Sequence, residues 1–194
     1  MEQVRYEHIL LFGSLVVAAW FIVVYFLPAM VMSVFKKAIL VKGFGEGPVP
    51  MNTLYTQPQE QFADPLHSAG SRLTVTGVNR DTIITLGWLD LREGPLILHV
   101  PDMADRYYSV QFTNPLKNTA FAYVGKRATG TGAGGYLICG PGWRGDVPQG
   151  LSQISSPNHS VLVIGRVLVA DENDLPAAYS FSKQLQLTPL TQSE

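Results

Sequence analysis

The stretch TIITLGWLDLREGPLILHV, residues 82–100, decides the fold class. It contains two runs of β-branched and large apolar residues, separated by a turn sequence with Gly94 and Pro95. Short apolar or alternating runs between turn formers are typical of β-strands. The same succession of short runs and turn formers continues to about residue 169, and it predicts an all-β domain.

Seven candidate strands follow from this pattern, and they suit an antiparallel β-sandwich or a barrel-like domain. The predicted strands cover residues 72–77, 82–91, 95–100, 107–112, 121–124, 135–139 and 161–169. Proline and aspartate within residues 101–105 favour a tight turn, so we expect a hairpin between the third and fourth strands. Near the C-terminus, Asp174 can cap a short helix that has Pro176 in its first turn and ends before Pro189.

The N-terminal part of the chain differs in character, since residues 9–35 contain no charged side chain. A helix needs about 20 apolar residues to cross roughly 30 Å of hydrocarbon, and residues 9–27 supply such a run before Pro28. A cleaved signal peptide is the alternative, but its apolar core is usually about 7 to 15 residues long and precedes an A-x-A cleavage site. No such site follows here, and we therefore predict one transmembrane helix.

The region after Pro28 mixes apolar residues with lysines, which predicts an interfacial helix. Lys36, Lys37 and Lys42 are placed to contact lipid headgroups. Under the positive-inside rule, their excess over Arg5 favours a cytoplasmic C-terminal domain. The chain thus divides into an anchor with an interfacial helix (1–42), a linker with an extended lead-in (43–71) and a β-rich globular domain (72–194).

The composition excludes several function classes. A net charge of −1 gives no field that would gather phosphates, so nucleic acid is not an expected partner. The single cysteine, Cys139, excludes an internal disulfide and a multi-thiolate zinc site, and its apolar neighbours predict a buried, inert thiol. The four histidines lack metal-ligand spacing, and there is no G-x-S-x-G motif. We therefore expect no metal, no cofactor and no catalytic constellation.

A glycine-rich segment, residues 130–135, has the spacing G-x-G-x-x-G of dinucleotide-binding loops. Such a loop must open a helix, whereas the residues that follow predict a strand. We interpret the segment as a hairpin loop whose glycines permit positive φ and which contacts a partner. The predicted partner contacts are Trp20, Phe21 and Tyr25 on the membrane helix, and Gly130, Gly132, Gly134 and Trp143 in the globular domain.

A polar cluster between predicted strands is the candidate ligand site. Arginine offers a bidentate fork to a carboxylate, while asparagine and aspartate suit a tight corner. A pocket at one end of the sandwich is one interpretation, and a purely structural corner is the other. The candidate ligand residues are Asn79, Arg80, Asp81, Tyr107, Tyr108 and Arg127.

Several motifs in order resemble one family. They are VNRDT at 78–82, WLDL at 88–91, GPLIL at 94–98, PD at 101–102, RYYSVQ at 106–111, FAYVG at 121–125, TGTG at 129–132 and GPGW at 140–143. From about residue 73 to 190 the sequence is similar to the bacterial domain-of-unknown-function family twelve-fifty-four. In that family the domain often precedes a second β-rich domain, of family twelve-fourteen. The resemblance implies an exported domain and, because this chain stops at Glu194, a split form whose companion β domain is a separate polypeptide.

Two main functions are consistent with these patterns. The first is a membrane-tethered, non-enzymatic accessory subunit of the inner membrane, whose periplasmic β domain docks on another membrane protein or complex. The second is the small-ligand-binding or enzymatic half of a two-protein assembly, with its pocket around the Asn-Arg-Asp motif. A lipid-handling module that uses the three lysines is a third interpretation.

Overall fold

A computed structural model describes residues 2–43, 47–59, 62 and 81–190 of the chain. These residues form a long N-terminal helix, two β-sheets that enclose one apolar core, and a short helix near the C-terminus. The helices are α1 (Glu2–Lys42) and α2 (Leu175–Lys183), and the strands are β1 (Leu54–Thr56), β2 (Thr82–Asp90), β3 (Leu96–Val100), β4 (Tyr108–Asn114), β5 (Thr119–Gly125), β6 (Gly134–Cys139), β7 (Leu151–Ser155), β8 (Ser160–Leu168) and β9 (Gln186–Pro189). The expected β-sandwich with a short C-terminal helix is confirmed.

The two sheets have the strand orders β1-β2-β8-β4-β5 and β7-β6-β3-β9, and we call them the first and second sheets. All their strand pairs are antiparallel except the parallel pair β6–β7. The core follows from side-chain alternation. In β4, for example, Tyr108, Val110 and Phe112 are buried, while Ser109 and Gln111 between them are half-buried on the outer face.

The expected hairpin at residues 101–105 is wrong. This segment carries the chain from β3 in the second sheet to β4 in the first, and the glycine-rich segment likewise connects β5 to β6 in the other sheet. The turn chemistry itself is present, since Asp102 Oδ1 accepts the Ala104 N–H at 2.9 Å. Turn residues specify a reversal of the chain, whereas the sheet that a strand joins is decided by which apolar faces pack together.

The predicted strands 82–91, 95–100, 107–112, 121–124, 135–139 and 161–169 all correspond to observed strands, and the strand predicted at 72–77 lies outside the described residues. The short strands β1, β7 and β9 were not predicted. Each lies at a sheet edge, where few side chains need to be buried and the periodicity is therefore weak. Pro189, expected beyond a helix end, lies in edge strand β9, where a missing N–H is tolerated.

Asp174 lies at the N-cap position of α2 as expected, but its side chain makes no capping hydrogen bond. Asp171 instead caps the 3-10 turn Glu172–Asp174 before α2, since its Oδ1 accepts the N–H groups of Asn173 and Asp174 at 2.8 and 3.1 Å. The Asp174 carboxylate pairs with Arg106 through two contacts, Nη1–Oδ2 at 2.5 Å and Nη2–Oδ1 at 2.6 Å. Arg106 Nη1 also donates to the Leu168 carbonyl at 2.8 Å. The pair therefore connects the start of β4 to the end of β8 and the start of α2.

Asp174→Asn is expected to lower the free energy of unfolding by about 2 kcal/mol at pH 7, because it removes a charge-assisted pair whose side chains are only 16% and 18% exposed. The hydrogen bonds from Arg106 lower the pKa of Asp174 from 3.8 to about 2. A depressed carboxyl pKa stabilises the fold above about pH 4, and this contribution disappears as the pH falls towards 2.

Urea unfolding at several pH values checks this prediction. The difference between wild type and Asp174→Asn is expected to shrink below pH 4, and Asp146→Asn, at an exposed position, is the matched control. A difference that stays constant from pH 7 to pH 2 would show that the pair adds no ionic stabilisation.

Candidate functional site

The outer face of the first sheet carries two adjoining surfaces. Along β8, Leu162, Ile164 and Arg166 alternate with buried residues and lie on this face. Leu162 and Ile164 pack in an apolar cluster with α1, whereas Arg166 lines an open cleft. The same strand thus connects the helix contact to the cleft.

The first surface is the helix joint, which we define as the cluster of Ile39, Val49, Trp88 and Leu162. These four residues are only 2–4% exposed, and Met32 and Phe35 pack against them. The α1 helix continues through Pro28 to Lys42, so the predicted transmembrane and interfacial parts form one helix. Burial of a large aromatic side chain against the end of a helix holds the two elements together.

A lysine and a serine complete the helix joint. Lys36 Nζ lies 5.3 Å from the centroid of the Trp88 ring and 3.5 Å from Ser160 Oγ. Ser160 Oγ in turn accepts the indole N–H of Trp88 at 2.7 Å. The Lys36 ammonium therefore contacts the sandwich, whereas Lys37 and Lys42 are exposed. The headgroup role of the three lysines stays a prediction.

The second surface is the cleft, with a volume of about 420 Å³, within the range of small-molecule sites. It lies over β8, β4 and β5 and is bounded by the loop after β5. Ser109 of β4 pairs with Arg166 of β8 on one side and with Gly125 of β5 on the other, and Gln111 pairs with Tyr123 in the next row. The outward side chains that line the cleft are Tyr107, Ser109, Gln111, Tyr123, Arg127 and Arg166.

Gly125 leaves space at one end of the cleft. A Cβ atom at this position would lie 2.4 Å from the Tyr108 carbonyl oxygen and 2.8 Å from Ser109 Cα, closer than non-bonded atoms can approach. Glycine is thus the residue that the close approach of β4 and β5 requires. Because it has no side chain, the space beside Ser109 stays available.

The cleft has a positive character. Among the residues that the structure describes, no acidic residue lines it and neither Arg127 nor Arg166 forms an ion pair. The Arg127 guanidinium carbon lies 5.4 Å from the centroid of the Tyr107 ring, a cation–π contact. The neighbouring Lys126, by contrast, is neutralised by Asp105, with Nζ and Oδ1 2.7 Å apart.

A family model described as Protein of unknown function (DUF1254) matches residues 52–189, which is more than half of the chain. The chain belongs to the DUF1254 family. This confirms the family resemblance, and it assigns no reaction or partner.

A solved structure of a longer protein shows the same fold. The crystal structure of the VPA0106 protein from Vibrio parahaemolyticus matches with a TM-score of 0.61 and 22% sequence identity, over 82% of this chain and 35% of that one. An uncharacterized protein from Burkholderia cenocepacia matches with a TM-score of 0.41 and 10% identity, over 71% of this chain and 34% of that one. This DUF1254 chain therefore spans about a third of their length. No curated protein matches it.

The structure brings together part of the predicted ligand set. Tyr107 and Arg127 line the cleft, and the backbone of Tyr108 contributes to it. The Tyr108 side chain, however, is fully buried in the core, and this burial raises the pKa of its hydroxyl. Asp81 does not line the cleft, and its carbonyl accepts the Val169 N–H at 2.8 Å. Asn79 and Arg80 lie outside the described residues.

Sequence reasoning missed Arg166, Tyr123, Ser109 and Gln111. A signal was present in β8, where Arg166 is the one charged residue of a strand that is otherwise apolar or small. The alternation of side chains in β8 places this cation on the outward face of a central strand. Its neighbours in the cleft depend on the order of the strands, which the sequence alone does not give.

The predicted partner contacts lie on three elements of the DUF1254 chain. Trp20, Phe21 and Tyr25 are 59%, 61% and 77% exposed along α1. Between β5 and β6, Gly130 and Gly132 of the loop are exposed, and Gly134, the first residue of β6, is half-buried. Trp143, in the loop after β6, is half-buried as well. These contacts stay predictions.

The cysteine and the metal-ligating residue types of the DUF1254 chain form no reactive cluster among the described residues. Cys139 is buried in β6, and this burial raises the pKa of its thiol. Across residues 2–43, 47–59, 62 and 81–190, no three His, Cys, Asp or Glu side chains gather as metal ligands would. The cleft is thus the candidate functional site.

Proposed function

We propose that this DUF1254 chain is a membrane-tethered accessory subunit whose β domain docks on another membrane protein or complex. The observation that supports this proposal is the helix joint, which attaches the sandwich to α1 through a buried apolar contact. A domain held in one orientation loses less freedom on docking than a domain on a flexible tether. A packed joint therefore suits a subunit that assembles with a neighbour in the same membrane.

The length of α1 supports a position of the sandwich beside the bilayer. The helix is long and apolar enough to cross a membrane, and its 41 residues correspond to about 60 Å, twice the hydrocarbon thickness. If residues 9–27 cross the hydrocarbon, Phe35, which packs against the helix joint, lies about two turns beyond it. We place the sandwich on the periplasmic side of the inner membrane, as the family resemblance implies.

The proposed contacts with the partner are of two kinds. Within the membrane, Trp20, Phe21 and Tyr25 present a large aromatic surface to neighbouring helices. Outside the membrane, the exposed Gly132 and the half-buried Trp143 contact its soluble face. A separate companion β domain is a further partner in this proposal.

Photo-crosslinking in native membranes tests this proposal. A benzophenone amino acid at Tyr25, and separately at Trp143, is expected to capture one and the same membrane protein. Leu116 is 68% exposed on the β4–β5 turn, outside the proposed contacts, and is the matched control position. Crosslinks from Tyr25 and Trp143 to lipid alone, or to unrelated proteins at the level of the control, would contradict an accessory subunit.

A second function, a membrane-tethered small-ligand-binding domain, is favoured by the cleft. Its two arginines lack carboxylate partners among the described residues, and its opening reaches solvent. The binding residues in this function are those over β4, β5 and β8, with Arg166 at the centre, and they include Tyr107 and Arg127 of the predicted ligand set.

A further inference from the structure

The arginine at the centre of the cleft lacks a counter-charge among the described residues. Arg166 is half-buried between β2 and β4, where its register partners are Ile84 and Ser109. No carboxylate of the described residues pairs with it. A partly desolvated cation costs free energy unless an anion or hydrogen-bond acceptor compensates it. An anion from outside the chain would supply that compensation.

The second arginine lies over an aromatic ring. The cation–π contact of Arg127 with Tyr107 favours a guanidinium position at the cleft, and no carboxylate of the described residues occupies its N–H groups. A guanidinium edge matches the two oxygens of a carboxylate or a phosphate. Arg127 and Arg166 line the same cleft, so both can contact one ligand.

The polar side chains around the arginines complete the site. The Ser109 hydroxyl lies in the same row as Arg166 and has no partner among the described residues. The amide of Gln111 donates to Thr113 Oγ1 at 2.9 Å, which directs its nitrogen away and leaves its oxygen as an acceptor. The cleft thus combines cationic donors with one hydroxyl and one amide oxygen.

We infer that the cleft binds the oxyanion of a ligand, a carboxylate or a phosphate, through Arg166 and Arg127. This inference rests on the ligand-binding function proposed above and names the chemical class of the ligand. The oxyanion has two sources, a soluble metabolite or a lipid headgroup. A soluble metabolite can enter the cleft from solvent, because the cleft is open. A lipid headgroup can reach it as well, because Arg166 lies only two residues, about 7 Å, from Ile164, which packs against the helix joint.

The test uses the full chain in nanodiscs of phosphatidylcholine, with the side-chain Nε–H resonances of the arginines as the readout. Phenyl phosphate is the soluble probe, and benzyl alcohol is its uncharged counterpart. Replacement of part of the phosphatidylcholine by phosphatidylglycerol tests the lipid source. The variants are Arg166→Gln and the more exposed Arg127→Gln, and the matched control is Arg144→Gln, on an exposed loop beside the second sheet.

Saturable shifts of the Arg127 and Arg166 resonances with phenyl phosphate are the expected result for a soluble source. The same shifts on addition of phosphatidylglycerol are the expected result for a lipid source. In either case each cleft variant is expected to weaken binding about tenfold, and Arg144→Gln is expected to leave it unchanged.

Two results would contradict the inference, and they differ in whether they also contradict the proposed ligand-binding function. If benzyl alcohol binds as tightly as phenyl phosphate and neither cleft variant weakens it, the oxyanion assignment fails while ligand binding stands. If no probe and no lipid shifts either resonance, the oxyanion assignment and the ligand-binding function both fail.

Discussion

Replacement of Val17 and Phe21 by arginine is expected to remove the protein from the membrane fraction. Both residues lie near the centre of the apolar run and are more than half exposed on α1. One arginine at the centre of a membrane helix raises the apparent free energy of insertion by about 2.5–3.5 kcal/mol, so two raise it by about 5–7 kcal/mol. The remaining Leu, Ile, Phe and Val residues of the run favour insertion by about 3–7 kcal/mol, so the increase cancels most or all of the driving force.

Flotation of lysed cells in a density gradient measures the effect and separates membrane-bound protein from aggregates. The matched control is Met30→Arg with Val34→Arg, on the same helix but beyond Pro28 and outside the helix joint. Its arginines can reach the headgroups, so we expect it to float like the wild type. Flotation of Val17→Arg with Phe21→Arg at the wild-type level would show that residues 9–27 do not cross the bilayer.

Trp88→Ala is expected to lower the free energy of unfolding by about 3–5 kcal/mol and to loosen the sandwich from α1. Trp88 is only 2% exposed, and its ring contacts the joint, Lys36 and Ser160 together. Trp88→Phe keeps most of the ring but loses the indole N–H, so we expect it to cost only about 1–2 kcal/mol.

Two measurements separate stability from orientation. Denaturation followed by circular dichroism gives the unfolding free energy, and Leu116→Ala, at an exposed position, is expected to change it by no more than about 0.5 kcal/mol. Spin labels at Val34 on α1 and Gln153 on β7 give the distance between helix and sandwich. An unchanged distance distribution in Trp88→Ala, with an unfolding loss under about 1 kcal/mol, would contradict a packed joint.

Local patterns predicted those elements of the fold that bury a complete face. Strands β2, β4 and β8 have long apolar or alternating runs, so their positions follow from periodicity. The edge strands and the crossovers between sheets depend on contacts between distant residues, which one sequence does not display. Lys36 illustrates the point, since its own segment suggests lipid headgroups while its actual neighbours are Trp88 and Ser160.

The candidate site was predictable in part. Tyr107 and Arg127 stood out because cations and phenols cluster in their segments, and both line the cleft. Arg166 and Tyr123 are isolated polar residues within apolar strands, and only the register of β8, β4 and β5 places them beside the others. A site assembled across three strands is therefore visible only after the strand order is known.

Extraction of the protein from native membranes in a mild detergent, followed by native mass spectrometry, tests the central claim most directly. An accessory subunit predicts one dominant assembly in which this chain and another membrane protein occur in a fixed ratio. That ratio should survive dilution and be lost when Trp20, Phe21 and Tyr25 are all replaced by leucine, which keeps the helix apolar. A chain that is recovered alone, without a second protein both before and after these substitutions, would contradict the account.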